Sequence, residues 1–408
     1  MKLTMVIPSY WARESEIGWK EGDAIYDHPT PLDTEGTLLR AIQSIKKLED
    51  KEFQLVIIAV ATAEDIESQV EKKVAKIIKS SNPGVEVLLF GRTHLTQIHE
   101  LLVREGEKEF PDLLHLRGYS NIRNLCTFIP HILGSEVAVL IDDDEVFEDP
   151  KFLSKAKEFI GKNIDGRTVN AVAGYYLQAD GDYHVKKHFR PWMKHWDLYD
   201  RMNEAFDKII GTEPRLKETP FVFGGAMVIH RSLFTAVPFD PVVRRGEDID
   251  FLINARMFGF HFFLDNQLSI KHLPPPKMHP IWMQLREDIY RFIYERAKIE
   301  HQKEIKGMTK VYPEDFDPYP GCFLKSDLEE KIEKACKLLS EEYLAQGDRQ
   351  GSEEALNNIV IAKTDAVPRY DPFQSLCELQ KRWHGLMLFT SRGKIRLRIR
   401  DIICKGGE

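Results

Sequence analysis

Apolar and polar positions follow two patterns in the first third of the chain. Short continuous apolar runs, typical of strands buried on both faces, alternate with stretches in which apolar residues recur at helical spacing. The runs cover residues 3–7, 55–60, 85–90 and 137–141, and the helical pattern covers 38–48, 66–78 and 122–133. Strands joined by helical crossovers predict a mostly parallel sheet with helices on both faces. In such sheets, ligands bind beyond the carboxyl ends of the strands.

The pattern changes after residue 145. It predicts helices at 150–162 and 249–258, strands at 169–177, 226–230 and 260–264, and long amphipathic helices at 282–300 and 326–346. Three consecutive prolines, at positions 274 to 276, can continue neither a helix nor a strand. We therefore expect a domain of residues 1–278 and a mainly helical extension of residues 279–408.

The C-terminal tail has a third pattern. Basic and apolar residues alternate over 392–400. This alternation predicts a charged edge strand, and contact with an anionic membrane surface is the alternative.

Composition excludes several classes of protein. The 408 residues are 43% hydrophobic, enough to bury a core, and the net charge of −7 argues against nucleic acid as a partner. Five cysteines without a CxxC pair indicate neither a zinc knuckle nor a disulfide framework. The apolar N-terminal run is short and ends at Pro8, and no run reaches the ~20 residues that cross a bilayer. We expect a cytoplasmic protein, with peripheral contact to the inner face of the membrane as a variant of that hypothesis.

Four acidic residues in a row, Asp142, Asp143, Asp144 and Glu145, follow the apolar run at 137–141. Carboxylates within about 5 Å of one another repel, so such a cluster calls for a metal ion or an Arg or Lys partner. Oxygen ligands suit a hard divalent cation that leaves positions open for substrate phosphates. A solvated acidic turn is the simpler alternative.

Several short motifs occur in one order along residues 1–275. They are Val-Ile-Pro-Ser at 6–9, Asn-Ile-Arg-Asn at 121–124, the aspartates at 142–144, Phe-Gly-Gly-Ala at 223–226, Gly-Glu-Asp at 246–248, and His272. In this order and spacing they resemble nucleotide-sugar-dependent glycosyltransferases of the GT-A fold, and family 2 in particular. The resemblance implies an α/β, Rossmann-like GT-A domain followed by a mainly helical C-terminal region. It also implies a nucleoside-diphosphate sugar donor, with UDP or GDP favoured, and Mn²⁺ or Mg²⁺ as cofactor.

The chemistry of sugar transfer assigns roles to these residues. A departing nucleoside diphosphate gains negative charge that a divalent ion stabilises, and the acceptor hydroxyl must lose a proton to a base. Asp142 and Asp144 are predicted metal ligands, and the resemblance adds His272. In the family the first aspartate of the motif faces the ribose in some members. Asp142 or Asp143 is therefore the alternative nucleotide contact, with Asp144 holding the ion. The predicted base is Asp248, and an ordinary helix N-cap is the competing interpretation of Asp248. Glu247 is predicted to orient the acceptor or the loop. The remaining predicted contacts are Pro8, Ser9, Arg123, Asn124 and Asp143 for the nucleotide, and Gly224, Gly225, Trp192 and Trp196 for the sugar and acceptor.

Some questions stay open at this stage. The second strand lacks the acidic residue that grips the base in the family, so Glu64 or Asp65 is the expected substitute. The segment at 23–34 is expected to be a loop or a lid. The acceptor is a carbohydrate, a small molecule or a lipid-linked sugar. An inverting glycosyltransferase is the main hypothesis; a retaining synthase of a small glycosylated solute, a nucleotidyltransferase and a non-catalytic sugar-nucleotide binder are the alternatives.

Overall fold

The computed structural model describes residues 1–405, in which eleven strands form one mixed sheet. The strands are β1 Leu3–Ala12, β2 Thr30–Pro31, β3 Gln54–Ala61, β4 Val87–Phe90, β5 Val137–Leu140, β6 Glu145–Val146, β7 Asn163–Ile164, β8 Arg167–Leu177, β9 Leu216–Glu218, β10 Met227–His230 and β11 His261–His272.

The sheet order along its main path is β4-β3-β1-β5-β10-β8-β11-β6. The four strands that the apolar runs predict, β1, β3, β4 and β5, lie side by side and pair in parallel. β10 runs antiparallel between β5 and β8, and β8 pairs in parallel with β11. All ten residues of β1 are buried, so other layers cover both of its faces. The predicted α/β fold class is confirmed.

Thirteen α-helices lie within the described residues. They are α1 Leu38–Ser44, α2 Glu67–Ser80, α3 Arg92–Arg104, α4 Tyr119–Leu133, α5 Phe152–Phe159, α6 Leu198–Ile209, α7 Arg231–Phe234, α8 Glu247–Met257, α9 Ile281–Glu300, α10 Leu328–Ala345, α11 Arg349–Lys363, α12 Pro372–Thr390 and α13 Gly393–Lys405. The seven predicted helices are present with bounds shifted by a few residues, whereas the sequence pattern did not predict α3, α6, α7, α11 or α12. No helix in residues 1–405 is long and apolar enough to cross a bilayer.

The region from α9 to α13 is mainly helical, as predicted, and shares its apolar core with the sheet. Trp196, which precedes α6, packs against Phe292 of α9 and against Phe323, with ring centroids 5.9 and 5.0 Å away. One continuous set of buried apolar side chains extends from β1 to α13. The division of the chain at residue 278 therefore stays a prediction.

The edge strand predicted at 392–400 was wrong, because residues 393–400 lie within the helix α13. Ile395, Ile399 and Ile403 are spaced four residues apart and are all buried, so they form one face of the helix. Leu397, which a strand would place on the same face, is 59% exposed. The helical spacing of the isoleucines decides the structure, and the alternation of charges does not.

The burial of Ile399 gives a test of this helix. Ile399→Ala should lower the free energy of unfolding by about 2–4 kcal/mol, because it removes a fully buried side chain from a packed core. Leu397→Ala is the matched control and should change it by less than about 0.5 kcal/mol. Urea unfolding followed by circular dichroism measures both, and equal losses would contradict the helical register.

Candidate active site

Two acidic turns from distant parts of the chain face one cavity of about 520 Å³. The first turn, Asp142 to Asp144, follows β5, and the second, Gly246 to Asp248, leads into α8. Both line the cavity, as do His272 at the end of β11 and the segment 274–277 that follows it. The volume is in the range of small-molecule sites, and the cavity lies beyond the carboxyl end of β5, where such sheets bind ligands.

Arg123, on the first turns of α4, connects the two acidic turns. Its Nη1 lies 2.9 Å from Asp142 Oδ1 and its Nη2 donates to Asp142 Oδ2 at 3.1 Å, while its Nε donates to Glu247 Oε1 at 3.0 Å. The Arg123 side chain is only 3% exposed. A buried guanidinium thus offsets two carboxylates that would otherwise repel each other.

Asp143 is held from the β1 side. Its Oδ2 accepts a hydrogen bond from Ser9 Oγ at 2.6 Å, and Ser9 Oγ in turn accepts one from Trp11 Nε1 at 2.9 Å. Burial, with the neighbouring charge of Asp144, raises the pKa of Asp143 well above its usual range. Ser9 is fully buried and does not line the cavity, so its effect on the site is to position Asp143.

Asp144 and His272 form a pair in the cavity, with Asp144 Oδ2 3.4 Å from His272 Nε2. The antiparallel pairing of β11 with β6 places His272 opposite Glu145. The imidazole stacks on the Tyr176 ring, with centroids 4.6 Å apart, which fixes its plane. Burial would raise the pKa of Asp144, but the hydrogen bond and charge of His272 lower it.

The predicted metal ligands are only partly brought together. Asp142 is turned toward Arg123, and within residues 1–405 no group of three His, Cys, Asp or Glu side chains is placed to hold one ion. Asp144 and His272 offer one carboxylate and one imidazole, a donor pair suited to Mn²⁺ when phosphate oxygens and waters complete the coordination. The Nδ1 atom of His28, which also lines the cavity, is buried without a hydrogen-bond partner.

Asp248 lies in the first turn of α8 and is not its N-cap. That position is taken by Gly246, whose φ of 74° is in the left-handed region. Asp248 Oδ1 accepts a hydrogen bond from the Ile249 amide at 2.8 Å, and the side chain lines the cavity. Burial raises the pKa of Asp248, against the opposing charge of Arg291. Burial also raises the pKa of Glu247 to about 7, although Arg123 opposes it.

The glycine pair leaves room for the charged side chains of the site. A Cβ on Gly224 would lie 2.6 Å from Arg123 Nη2, and one on Gly225 would lie 2.1 Å from Glu145 Oε1 and 2.8 Å from Asp142 Cγ. Gly224 lines the cavity, whereas the Gly225 amide donates to the Tyr176 hydroxyl at 2.8 Å. A side chain at either position would therefore displace charged groups of the site.

Several predicted contacts lie away from the cavity. The side chain of Asn124 is buried. Its Nδ2 donates to the Phe239 carbonyl at 2.9 Å, and its Oδ1 accepts from the Phe239 amide at 2.8 Å. Trp192 and Trp196 are buried in the apolar core and do not line the cavity, and neither does Pro8. Asp65 pairs with Arg13 and Glu64 with Arg117, so both substitutes for a base-gripping acid have cationic partners.

The helix α9 and the loop after β1 supply cavity residues that sequence reasoning missed. Arg245 pairs with Asp27, at 3.0 Å, and with Asp288 of α9, at 2.8 Å, and Arg291 of α9 lies 3.2 Å from Asp288. The sequence of α9 contained a pattern that could have indicated a role in the site. Leu285, Asp288, Phe292, Glu295 and Ile299 are buried at spacings of three and four, so two carboxylates occupy the apolar face of an amphipathic helix.

Comparisons with known proteins give distant similarities of shape. No family profile and no curated sequence matches the chain. The mannosyltransferase PcManGT from Pyrobaculum calidifontis, solved with GDP-Man and Mn²⁺, is 14% identical with a TM-score of 0.48, over 96% of this chain and 87% of its own. GalNAc-T7, solved with UDP, GalNAc and Mn²⁺, is 11% identical with a TM-score of 0.37, over 84% and 58% of the two chains. A mycobacterial protein is 16% identical with a TM-score of 0.36, over 72% and 74%. These similarities are too distant to assign residue roles, so the roles rest on the geometry of this chain.

The raised pKa of Glu247 predicts how stability depends on pH. The folded state keeps the Glu247 proton up to about pH 7, whereas the ordinary value is 4.5, so the free energy of unfolding should fall as pH rises between these values. Glu247→Gln should remove this fall, worth about 1–3 kcal/mol. Urea unfolding at pH 5, 6, 7 and 8 measures it, with the exposed Glu353→Gln as control. An unchanged slope in Glu247→Gln would contradict the assignment.

Proposed function

We propose that the protein is a metal-dependent glycosyltransferase that moves a sugar from a nucleoside-diphosphate sugar to an acceptor hydroxyl. The observation that carries the proposal is the convergence of two acidic turns and His272 on one cavity, with Arg123 bound to both turns. This arrangement keeps charged groups for two separate tasks, phosphate binding and proton removal, within one small-molecule site.

The leaving group would be stabilised at the Asp144–His272 pair. These two side chains would hold Mn²⁺ or Mg²⁺, and the bound ion supplies positive charge against the departing diphosphate. Asp142 stays with Arg123, which leaves it to shape the cavity or to contact the ribose. Asp143, held by Ser9, sets the position of Asp144 beside it in the chain.

Asp248 is proposed as the base that removes the acceptor proton. Its carboxyl lines the same cavity as the Asp144–His272 pair, and its raised pKa makes it a stronger proton acceptor than an exposed aspartate. Glu247 is bound to Arg123 and so positions the turn that carries Asp248. A base that acts on the acceptor makes an inverting reaction the favoured stereochemistry, and NMR of the product anomer tests it.

The acceptor is proposed to be soluble and not presented by a membrane through the C-terminal tail. Lys2, at the start of β1, lies near Arg396 and Arg400 of α13, whereas Tyr10, near the end of β1, lines the cavity. Eight residues of strand separate the two ends by about 26 Å. A membrane bound by the basic tail would therefore face the side opposite the cavity.

Substitution of the proposed base tests the reaction directly. Asp248→Asn should lower the transfer rate at least about 100-fold, because the amide cannot accept the acceptor proton. Binding of the nucleotide sugar, measured by calorimetry, should stay within about twofold. Asp200→Asn changes an exposed carboxylate in the first turn of α6 that does not line the cavity, so it is the matched control and should keep full activity. Transfer at a near-normal rate in Asp248→Asn would refute this role.

The metal pair is tested by ligand-induced stabilisation. UDP-, GDP- and dTDP-sugars with Mn²⁺ should each be screened by thermal shift, and a donor present at 100 times its Kd stabilises the fold by about 2.7 kcal/mol. Asp144→Ala and His272→Ala should lose the Mn²⁺-dependent part of that shift, while the exposed His188→Ala should retain it. An Mn²⁺-dependent shift that survives both substitutions would place the ion elsewhere.

A further inference from the structure

Lys277 is a largely buried cation in the cavity wall that shares its counter-ion, Asp27, with Arg245. Its side chain is 26% exposed, and its Nζ lies 3.5 Å from Asp27 Oδ2. That oxygen already accepts a hydrogen bond from Arg245 Nη2 at 3.2 Å. Among the contacts of residues 1–405 no hydrogen bond to Lys277 Nζ is present, although an ammonium has three donors to satisfy. Burial lowers the pKa of Lys277, as expected for a desolvated ammonium.

The backbone before Lys277 holds it in place. The Leu273 amide donates to the Asp144 carbonyl at 2.9 Å, and Arg40 Nη2 donates to the Leu273 carbonyl at 2.7 Å. Pro274, Pro275 and Pro276 follow, with fixed φ angles and no amide hydrogens, and all three line the cavity. Lys277 is thus carried on a stiff segment that begins at the Asp144–His272 pair.

Lys187 is a second cation on this wall. It lines the cavity, is exposed, and lies over the Tyr199 ring with its Nζ 5.5 Å from the centroid. Within the described part of the chain, Lys187 Nζ makes neither an ion pair nor a hydrogen bond. Lys187 is close enough to Lys277 for the two charges to interact unfavourably.

The carboxylates on this wall are already engaged. Asp27 and Asp288 both pair with Arg245, at 3.0 and 2.8 Å, and Asp288 also contacts Arg291. Asp27 stays charged, because Arg245 and Lys277 lower its pKa against the effect of burial. Arg245, Lys277 and Arg291 thus share Asp27 and Asp288, and Arg291 also offsets the charge of Asp248. Lys187 adds a further positive charge without a carboxylate partner among the described residues, so the two lysines present positive charge to the cavity, opposite in sign to the acidic turns.

We propose that Lys277 and Lys187 form an anion subsite that binds a phosphate or carboxylate group of a substrate. This proposal depends on the proposed function only for the identity of the substrate that carries the anionic group. Two sources share this chemistry, the diphosphate of the donor and a charged group on the acceptor.

The test that is independent of sugar transfer uses inorganic pyrophosphate as probe, without metal, followed by calorimetry. Lys277→Met keeps the length of the side chain and removes its charge, and it should weaken binding at least tenfold. Lys187→Met should weaken binding about threefold because this lysine is more exposed. The matched control is Lys194→Met, an exposed lysine outside the cavity, which should bind as the unaltered protein does. Equal affinity in Lys277→Met, with an unchanged unfolding midpoint, overturns the subsite.

Steady-state kinetics separates the two sources. A KM that rises for the nucleotide sugar alone assigns the subsite to the donor diphosphate, and a KM that rises for the acceptor alone assigns it to a charged acceptor. If both KM values and pyrophosphate binding are unchanged while transfer proceeds, the subsite fails and the proposed function stands. If pyrophosphate binding depends on Lys277 but no nucleotide sugar binds or reacts, the subsite stands and the proposed function fails.

Discussion

The site depends on one buried guanidinium. Arg123 is bound on one edge to Asp142 and on the other to Glu247, residues that are far apart in the chain and follow different parts of the sheet. Without that charge, Asp142 and Glu247 would lose the cation that pairs with both, in a cavity that Asp143, Asp144 and Asp248 also line, and burial would favour their protonation or separation. The residues around Arg123 are arranged to keep it there. Gly224 leaves room for the Arg123 Nη2 atom. Arg123 belongs to α4, a helix whose residues are almost all buried.

A second buried cation ties the helical C-terminal region to the same site. Lys298 of α9 is fully buried, and its Nζ donates to Asp250 of α8 and, at 2.9 Å, to Asn254 Oδ1. Asp250 is two residues from Asp248, so α9 fixes the helix whose first turn carries the proposed base. The helix α9 also brings Asp288 and Arg291 into the cavity wall. The region predicted as a separate extension therefore completes the site and is more than an appendage to the sheet.

The success of sequence reasoning differs from one element to another for physical reasons. Buried parallel strands are continuous apolar runs, so β1, β3, β4 and β5 could be found, and the acidic turn after β5 followed from its position at a strand end. The pairing of Asp144 with His272 could be anticipated only through a resemblance, since neither segment alone determines the register of β11 with β6.

Trp192 and Trp196 were predicted to lie in the site because aromatic rings suit sugars, but such rings also fill cores, and only packing decides between these outcomes. In α13 the spacing of three isoleucines outweighed a visible alternation of charge. Arg245, Arg291 and Lys277 matter because of partners that long-range folding brings to them.

The proline segment after β11 lets the position of Lys277 vary independently of the position of His272. A proline has no amide hydrogen to offer a neighbouring strand, so the ladder of β11 stops at His272, and the histidine becomes the last paired residue at the rim of the sheet. The segment beyond it begins at Leu273, whose amide donates to the Asp144 carbonyl and whose carbonyl accepts from Arg40. Insertions or deletions in these few positions would move the lysine without disturbing the histidine. The place of the proposed anion subsite can thus change independently of the proposed metal pair at the sheet edge.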